Sequence, residues 1–236
     1  MRILVATALG LACFTAVAAD DYQEVRELGV SADGARQFII DVGAGSLDVR
    51  GVAGQETIKV RARIVIDDGD EDEARAFISE QVKISLEREG ETVRLVTDVE
   101  QSMWSRGSGG RVDVEVTAPA GLATRIDDGS GSIDVEDLDA DIVIDDGSGS
   151  IELRNVGAVQ IDDGSGSIDV SNATGDVYVN DGSGSITIED VGGTVTIDDG
   201  SGSIRVRKVG QDLVIIDAGS GSISFSDVKG TVEQDG

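Results

Sequence analysis

From about residue 123 onward the hydrophobic positions fall in short alternating runs that repeat. One unit carries Ile133, Val135, Leu138, Ile142 and Ile144; a later one carries Ile186, Ile188, Val191, Val195 and Ile197; the last carries Ile223, Phe225, Val228 and Val232. Each unit thus holds two period-2 segments separated by polar residues, which predicts two strands per unit. The apolar residues are mostly β-branched, as strands prefer. Between the segments the string Gly-Ser-Gly-Ser-Ile begins at Gly129, Gly147, Gly164, Gly182, Gly200 and Gly219, at spacings of 18, 17, 18, 18 and 19.

No single unit of this size can bury its apolar face, so the units must stack. The pattern predicts an all-β fold: a parallel β-solenoid of about 18 residues and two strands per turn. Parallel neighbours lie about 4.8 Å apart, so six turns make a column on the order of 29 Å long. The aliphatic positions do not recur at six-residue intervals, which excludes a three-sided coil of hexads. The general chirality of parallel crossovers favours right-handed winding.

The chain divides into three parts: a leader at 1–19, an irregular β-rich part at 20–118, and the six-repeat solenoid at 119–236. In the middle part Ile58, Val60, Ala62 and Ile64 alternate with Lys59, Arg61 and Arg63, and Val82–Leu86, Val93–Leu95 and Val112–Val116 show the same period. A degenerate copy of the repeat string stands at Gly43-Ala44-Gly45-Ser46-Leu47. Residues 70–81 are the helix candidate, with acids in the first turn and Ala74, Phe77 and Ile78 on one face. The middle part is expected to start the same β structure around this helical insertion; a separate β-rich domain is the alternative.

The string Val116-Thr117-Ala118-Pro119-Ala120-Gly121, followed by Asp-Gly-Ser-Gly-Ser-Ile repeats, resembles the bacterial putative-adhesin family of exported β-strand-repeat proteins. So does the upstream Gly45-Ser46-Leu47-Asp48-Val49 segment. The resemblance implies an exported or envelope-associated protein with a β-repeat architecture. It supplies no catalytic or binding residues, and architecture alone does not settle function.

Residues 1–19 read as a secretory signal peptide. Arg2 is the basic n-region, Ile3 to Val17 the apolar stretch, and Ala16-Val17-Ala18-Ala19 the small-residue cleavage site. Cys13, the sole cysteine, lies inside it, so the mature chain is expected to hold no thiol. No later segment is apolar and long enough to span a bilayer. The expected location is the periplasm, the cell envelope or the extracellular space of a bacterium.

The charge balance narrows the function classes. Forty-six acids against 19 bases give a formal charge of −27, and histidine is absent. Histidine catalysis and histidine metal ligation are excluded. Nucleic acid is not expected as a partner, because that affinity comes from Lys and Arg on phosphates.

Each Gly-Ser-Gly-Ser is preceded by a pair of mostly acidic residues: Asp127-Asp128, Asp145-Asp146, Asp162-Asp163, Asn180-Asp181, Asp198-Asp199 and Asp217-Ala218. Stacking predicts two columns of carboxylates. Two such charges about 4.8 Å apart repel by roughly 0.9 kcal/mol even at water's dielectric. Turn chemistry and solvation are the first explanation, since Asp, Ser and Gly favour tight turns. Calcium is the alternative, with Asp127, Asp128, Asp145, Asp146, Asp162, Asp163, Asp181, Asp198, Asp199 and Asp217 as oxygen ligands. The repeat departs from the calcium-loaded β-roll pattern: Ile133 stands where that pattern needs Asp, and only one turn per unit is glycine-rich. The acidic run Asp67 to Glu73 reads as a solvated loop leading into the helix.

Met103, Trp104 and Arg106 mark an irregular loop that could serve as an interaction platform or cap the solenoid core. Arg154, Arg205, Arg207 and Lys208 are expected to pair with neighbouring acids. No carboxylate pair stands apart as acid and base, so an enzyme is not expected, and a glycan-active β-helix enzyme is the remote alternative. The expected function is a non-enzymatic adhesion or envelope-structural role, and no cofactor is called for unless calcium loads the columns. The expected partners are a protein or glycan surface and, through an uncapped solenoid end, another copy of the chain.

Overall fold

The computed structural model describes residues 21–67, 71–99 and 110–234. The expected signal peptide with Cys13, and the Met103, Trp104 and Arg106 loop, lie outside the described residues. The elements run β1 (Tyr22–Ser31), β2 (Gln37–Val52), β3 (Thr57–Ile66), α1 (Glu71–Gln81), β4 (Val82–Glu89), β5 (Thr92–Val99), β6 (Gly110–Pro119) and β7 (Ala123–Glu136). Short strands then alternate: β8 (Ile142–Asp146), β9 (Gly149–Val156), β10 (Val159–Asp163), β11 (Gly166–Ala173), β12 (Val177–Asp181) and β13 (Gly184–Val191). They end with β14 (Val195–Asp199), β15 (Gly202–Val209), β16 (Leu213–Asp217), β17 (Ser222–Val228) and β18 (Val232–Gln234).

The solenoid is what the repeat predicts. Two files of parallel strands climb together, one made of β8, β10, β12, β14, β16 and β18, the other of β9, β11, β13, β15 and β17. Equivalent residues stack in register, so Ile133, Ile151, Ile168, Ile186, Ile204 and Ile223 form one continuous column. β7 supplies the corresponding strands of both files, its first arm pairing β8 and its second β9. β2 lies beneath it as a further rung, with Gly45 against Gly131 and Leu47 against Ile133. The degenerate string at Gly43 therefore occupies the same corner as the six later copies.

Each rung is closed by two devices. At one corner a residue takes positive φ: Asp137, Asn155, Asn172, Asp190, Lys208 and Asp227, at 56 to 62°. Asn and Asp tolerate this conformation best among non-glycine residues. The turn breaks the alternation, so that Leu138, Val156, Ala173, Val191 and Val209 also face inward and are buried. At the other corner Gly-Ser bends the chain. The 17-residue unit is absorbed by a two-residue link between Val156 and Val159 where the others have three. The 19-residue unit is absorbed by a bulge that leaves Ile216 exposed and places Asp217 beside Asp198.

The two ends differ. Below β2 the parallel stacking continues to β5 and β6, and then gives way to antiparallel strands: β4 on β5, β3 on β6 and β1 on β3. Helix α1 buries Ala74 and Ile78 against the same core. At the far end no strand among the described residues covers β17 and β18. Phe225 is 46% exposed there, whereas Val206, its counterpart one rung below, is fully buried.

Candidate functional site

The Asp pairs lie where β7's first arm, β8, β10, β12 and β14 reach the Gly-Ser corner. Alternation sends the two members opposite ways. Asp127, Asp145 and Asp162 are exposed, with Asn180 and Asp198 following them in the same outward column. Asp128, Asp146, Asp163, Asp181 and Asp199 point inward and are all at most 4% exposed. Reading both columns as solvated turn residues is therefore corrected for the second. The signal was available in the sequence: Ile142-x-Ile144-x-Asp146 puts Asp146 at the next inward position of the same strand.

The inward aspartates hold the corner from inside. Oδ1 of Asp146, Asp163, Asp181 and Asp199 accepts the backbone N–H of the serine two residues on, at 3.0 to 3.2 Å. The intervening glycine donates to the main-chain carbonyl of the aspartate one rung below, at 2.9 to 3.0 Å. Oδ2 in each of these four, and both carboxylate oxygens of Asp128, are buried without a hydrogen-bond partner. None of the ion pairs formed by Lys or Arg among the described residues reaches this column.

Buried charge without a counter-charge is costly, so these carboxyls resist ionisation. Burial first, then the charge of Asp146, pushes Asp128 up to about 7. Burial, with Asp146 and Asp181 on either side, pushes Asp163 to about 6. Asp146, Asp181 and Asp199 are raised for the same leading reason.

The outward column makes few contacts. Asn180 donates to Asp162 at 3.1 Å, and Arg125 lies 3.8 Å from Asp145. Asp217 accepts the amides of Ala218 and Gly219 at 2.7 and 2.8 Å, and Ala218 stands where an inward aspartate would be. Among the described residues no three acidic side chains converge in an arrangement that would hold a metal ion. Beside this column an open groove of about 320 Å³ runs over successive rungs, with Asp141, Asp176 and half-exposed Tyr178 on its walls.

The outer face of the second file is laced by ion pairs across rungs. Arg154 reaches Asp134 at 2.9 Å, Arg207 reaches Glu189 at 2.6 Å and Lys208 reaches Asp190 at 2.9 Å. Arg50 pairs with Glu136 in the same way. Such exposed pairs contribute little to stability, because water and salt screen them. The expectation that Arg205 pairs likewise is corrected: its neighbours in the adjacent rungs are Thr187 and Ser224, and it makes no ion pair among the described residues. In the acidic run, Asp67 lies 3.6 Å from Arg111, and Glu71 accepts from Arg75 at 2.7 Å; Asp68 and Asp70 lie outside the described residues. No helix among the described residues is long and apolar enough to cross a membrane.

No family model matches the chain, and no curated protein does. Among solved structures it is similar to a putative lipid binding protein from Parabacteroides distasonis ATCC 8503, at 16% identity over 91% of this chain and 94% of that one, with a TM-score of 0.47. A putative cell adhesion protein from Clostridium sporogenes ATCC 15579 shares 14% identity over 91% of this chain and all of that one, with a TM-score of 0.39. A putative adhesin from Bacteroides fragilis NCTC 9343 shares 14% over 89% and 97%, with a TM-score of 0.36.

Proposed function

We propose that this chain is an exported, non-enzymatic solenoid that acts in adhesion or in the architecture of the bacterial envelope, through its outer faces and the exposed residues of β17 and β18. The observation that carries this reading is the uniformity of the column. The acidic Gly-Ser corner and the inward aliphatic column recur rung after rung, and the grooves on the outer faces are open and of about 300 to 320 Å³. A hydrolase or lyase breaks its repeat to set an acid and a base apart. Here the buried aspartates are withdrawn from solvent and the outward ones are alike. An in-register stack is also rigid along its axis, which suits a spacer or a presenting surface. The exposed Phe225 and Val232 on β17 and β18, with Ile216 at the bulge of β16, give this region an apolar character that favours contact with another protein surface or copy.

Labelled full-length mature protein is expected to bind intact cells or isolated envelopes of the producing bacterium saturably. Binding no greater than that of an unrelated acidic protein of equal size would overturn the reading. Calcium loading of the aspartate columns is the competing proposal, and it predicts a calcium-dependent melting midpoint, because a ligand bound to the native state stabilises it. The expected result is the same midpoint with millimolar calcium and with excess chelator. A rise of several degrees with calcium would instead assign the columns to the ion.

A further inference from the structure

The chain is strongly acidic, and within its repeats the few cations are concentrated in the last rungs. Of the five Lys and Arg after residue 129, four are Arg205, Arg207, Lys208 and Lys229. The column to which Arg205 belongs is acidic in the earlier rungs, with Asp134, Glu152 and Asp169, before it passes through Thr187 to Arg205 and Ser224. Charge on this face therefore changes sign toward the last rungs. Arg207 spends its contacts on Glu189 in the rung below, and on its other side the register places Ser226.

Between β15 and β17 lies an open groove of about 310 Å³, lined by Arg205, Val206, Arg207, Ser224, Phe225 and Ser226. No acid borders it. Two arginines at i and i+2 of one strand stand about 6.6–7 Å apart on the same face. That separation lets unpaired Arg205 offer parallel N–H donors to an oxyanion, while Arg207 adds the N–H groups that its bond to Glu189 leaves free. Ser224, one rung on, presents a short hydroxyl that can donate to or accept from neighbouring hydroxyl groups, while Ser226, whose hydroxyl donates to Asp227, offers an acceptor.

We propose that this groove binds the oxyanion substituent, carboxylate or sulfate, of an acidic saccharide. The arginines clamp the anion, and the serines, which leave the groove shallow, meet the sugar hydroxyls. The groove is open along the face, as an extended polymer requires. The overall negative charge works against a polyanion, so the affinity is modest and falls as acidic units beyond the groove are added. The proposal deepens the adhesion reading by naming a ligand class, and rests on it only for where such a polymer would be met.

The test is titration of the full mature chain, followed by amide chemical shifts, with oligogalacturonate, a sulfated oligosaccharide, neutral dextran, inorganic sulfate and inorganic phosphate. Oligogalacturonate or the sulfated oligosaccharide is expected to shift amides of β15 and β17, and Arg205→Ser is expected to weaken binding at least tenfold. Arg205→Lys, which keeps the charge but loses the fork, should fall between. Arg154→Ser, which removes a paired arginine elsewhere, should bind as the parent does. Melting curves of the variants show that each is folded. Equal binding by Arg205→Ser, shifts confined to other strands, or equal binding of neutral dextran would each overturn the proposal. Inorganic sulfate or phosphate binding as tightly as the oligosaccharides would overturn the saccharide assignment. Cell binding that survives Arg205→Ser while the oligosaccharides fail to bind removes the groove but leaves adhesion standing.

Discussion

Acidification from pH 8 to pH 5 is expected to raise the melting temperature of this protein by about 4–8 °C, corresponding to a gain of ~2 kcal/mol. The inward aspartates cause it. Asp128 titrates near 7 and Asp163 near 6 in the folded chain, and the other three buried carboxyls are also raised, in each case mainly by burial. In the unfolded chain all would titrate near about 3.9. A carboxyl whose folded pKa is raised contributes stability that is fully present below its unfolded value and is lost as pH rises through the folded one. The loss should therefore begin at about pH 4, where the unfolded carboxyls ionise, and be largely complete above pH 7, where Asp128 has followed in the folded chain.

Below about pH 4 the direction reverses, because Asp212, held low by Thr231, and Glu189, held low by Arg207, favour the charged form. Calorimetry at fixed ionic strength across pH 4–8 reads the effect, and a melting temperature that rises from pH 5 to 8 would contradict it. Asp163→Asn isolates the source. The amide keeps the shape and can still accept the Ser165 N–H that Asp163 accepts at 3.1 Å. It also offers a donor to the partnerless oxygens of Asp146 and Asp181. The variant should gain ~1–2 kcal/mol at pH 8, be near neutral at pH 5, and show a flatter profile.

How much of this was legible in the sequence depends on whether a feature is set by periodicity or by the third dimension. The isoleucine column was readable, because period-2 alternation and an 18-residue repeat fix both face and neighbour. The direction of Asp146 was readable in principle, yet its residue type pointed to solvent, and only the strand's own alternation carries it inward. The positive-φ corner at Asn155 and Asn172 was hidden. Nothing in a run such as Arg154-Asn155-Val156 shows that the alternation breaks there, although Asn and Asp are the residues that tolerate it. The solitude of Arg205 was equally hidden, because its neighbours Thr187 and Ser224 are 18 and 19 positions away. The bulge at Ile216 follows from the 19-residue spacing, but the spacing alone does not say which residue is expelled.

Replacing Gly184 by alanine is expected to cost ~3–5 kcal/mol and to lower the melting temperature by about 10 °C or more. The repeated glycines read as turn residues, and the structure gives this one a stricter duty. A Cβ at Gly184 would lie 1.6 Å from the carbonyl oxygen of Gly166 in the rung below, and one at Gly202 equally close to the carbonyl of Gly184. Both contacts are with backbone, which cannot swing aside as a flexible side chain can. Relief would require prising the rungs apart, at the expense of bonds such as the one Gly166 donates to the Ser183 carbonyl at 3.0 Å. Because each rung touches only its neighbours, the damage should be directional. Amides of β15 and β17 should lose hydrogen-exchange protection first, while β7 and β9 keep it. Gly121→Ala is the control, since a Cβ there meets nothing within 4 Å, and its effect should stay within about 0.5 kcal/mol. A Gly184→Ala protein as stable as Gly121→Ala would mean that the rungs do not stack at this distance, and uniform loss of protection would mean that they do not unfold one by one.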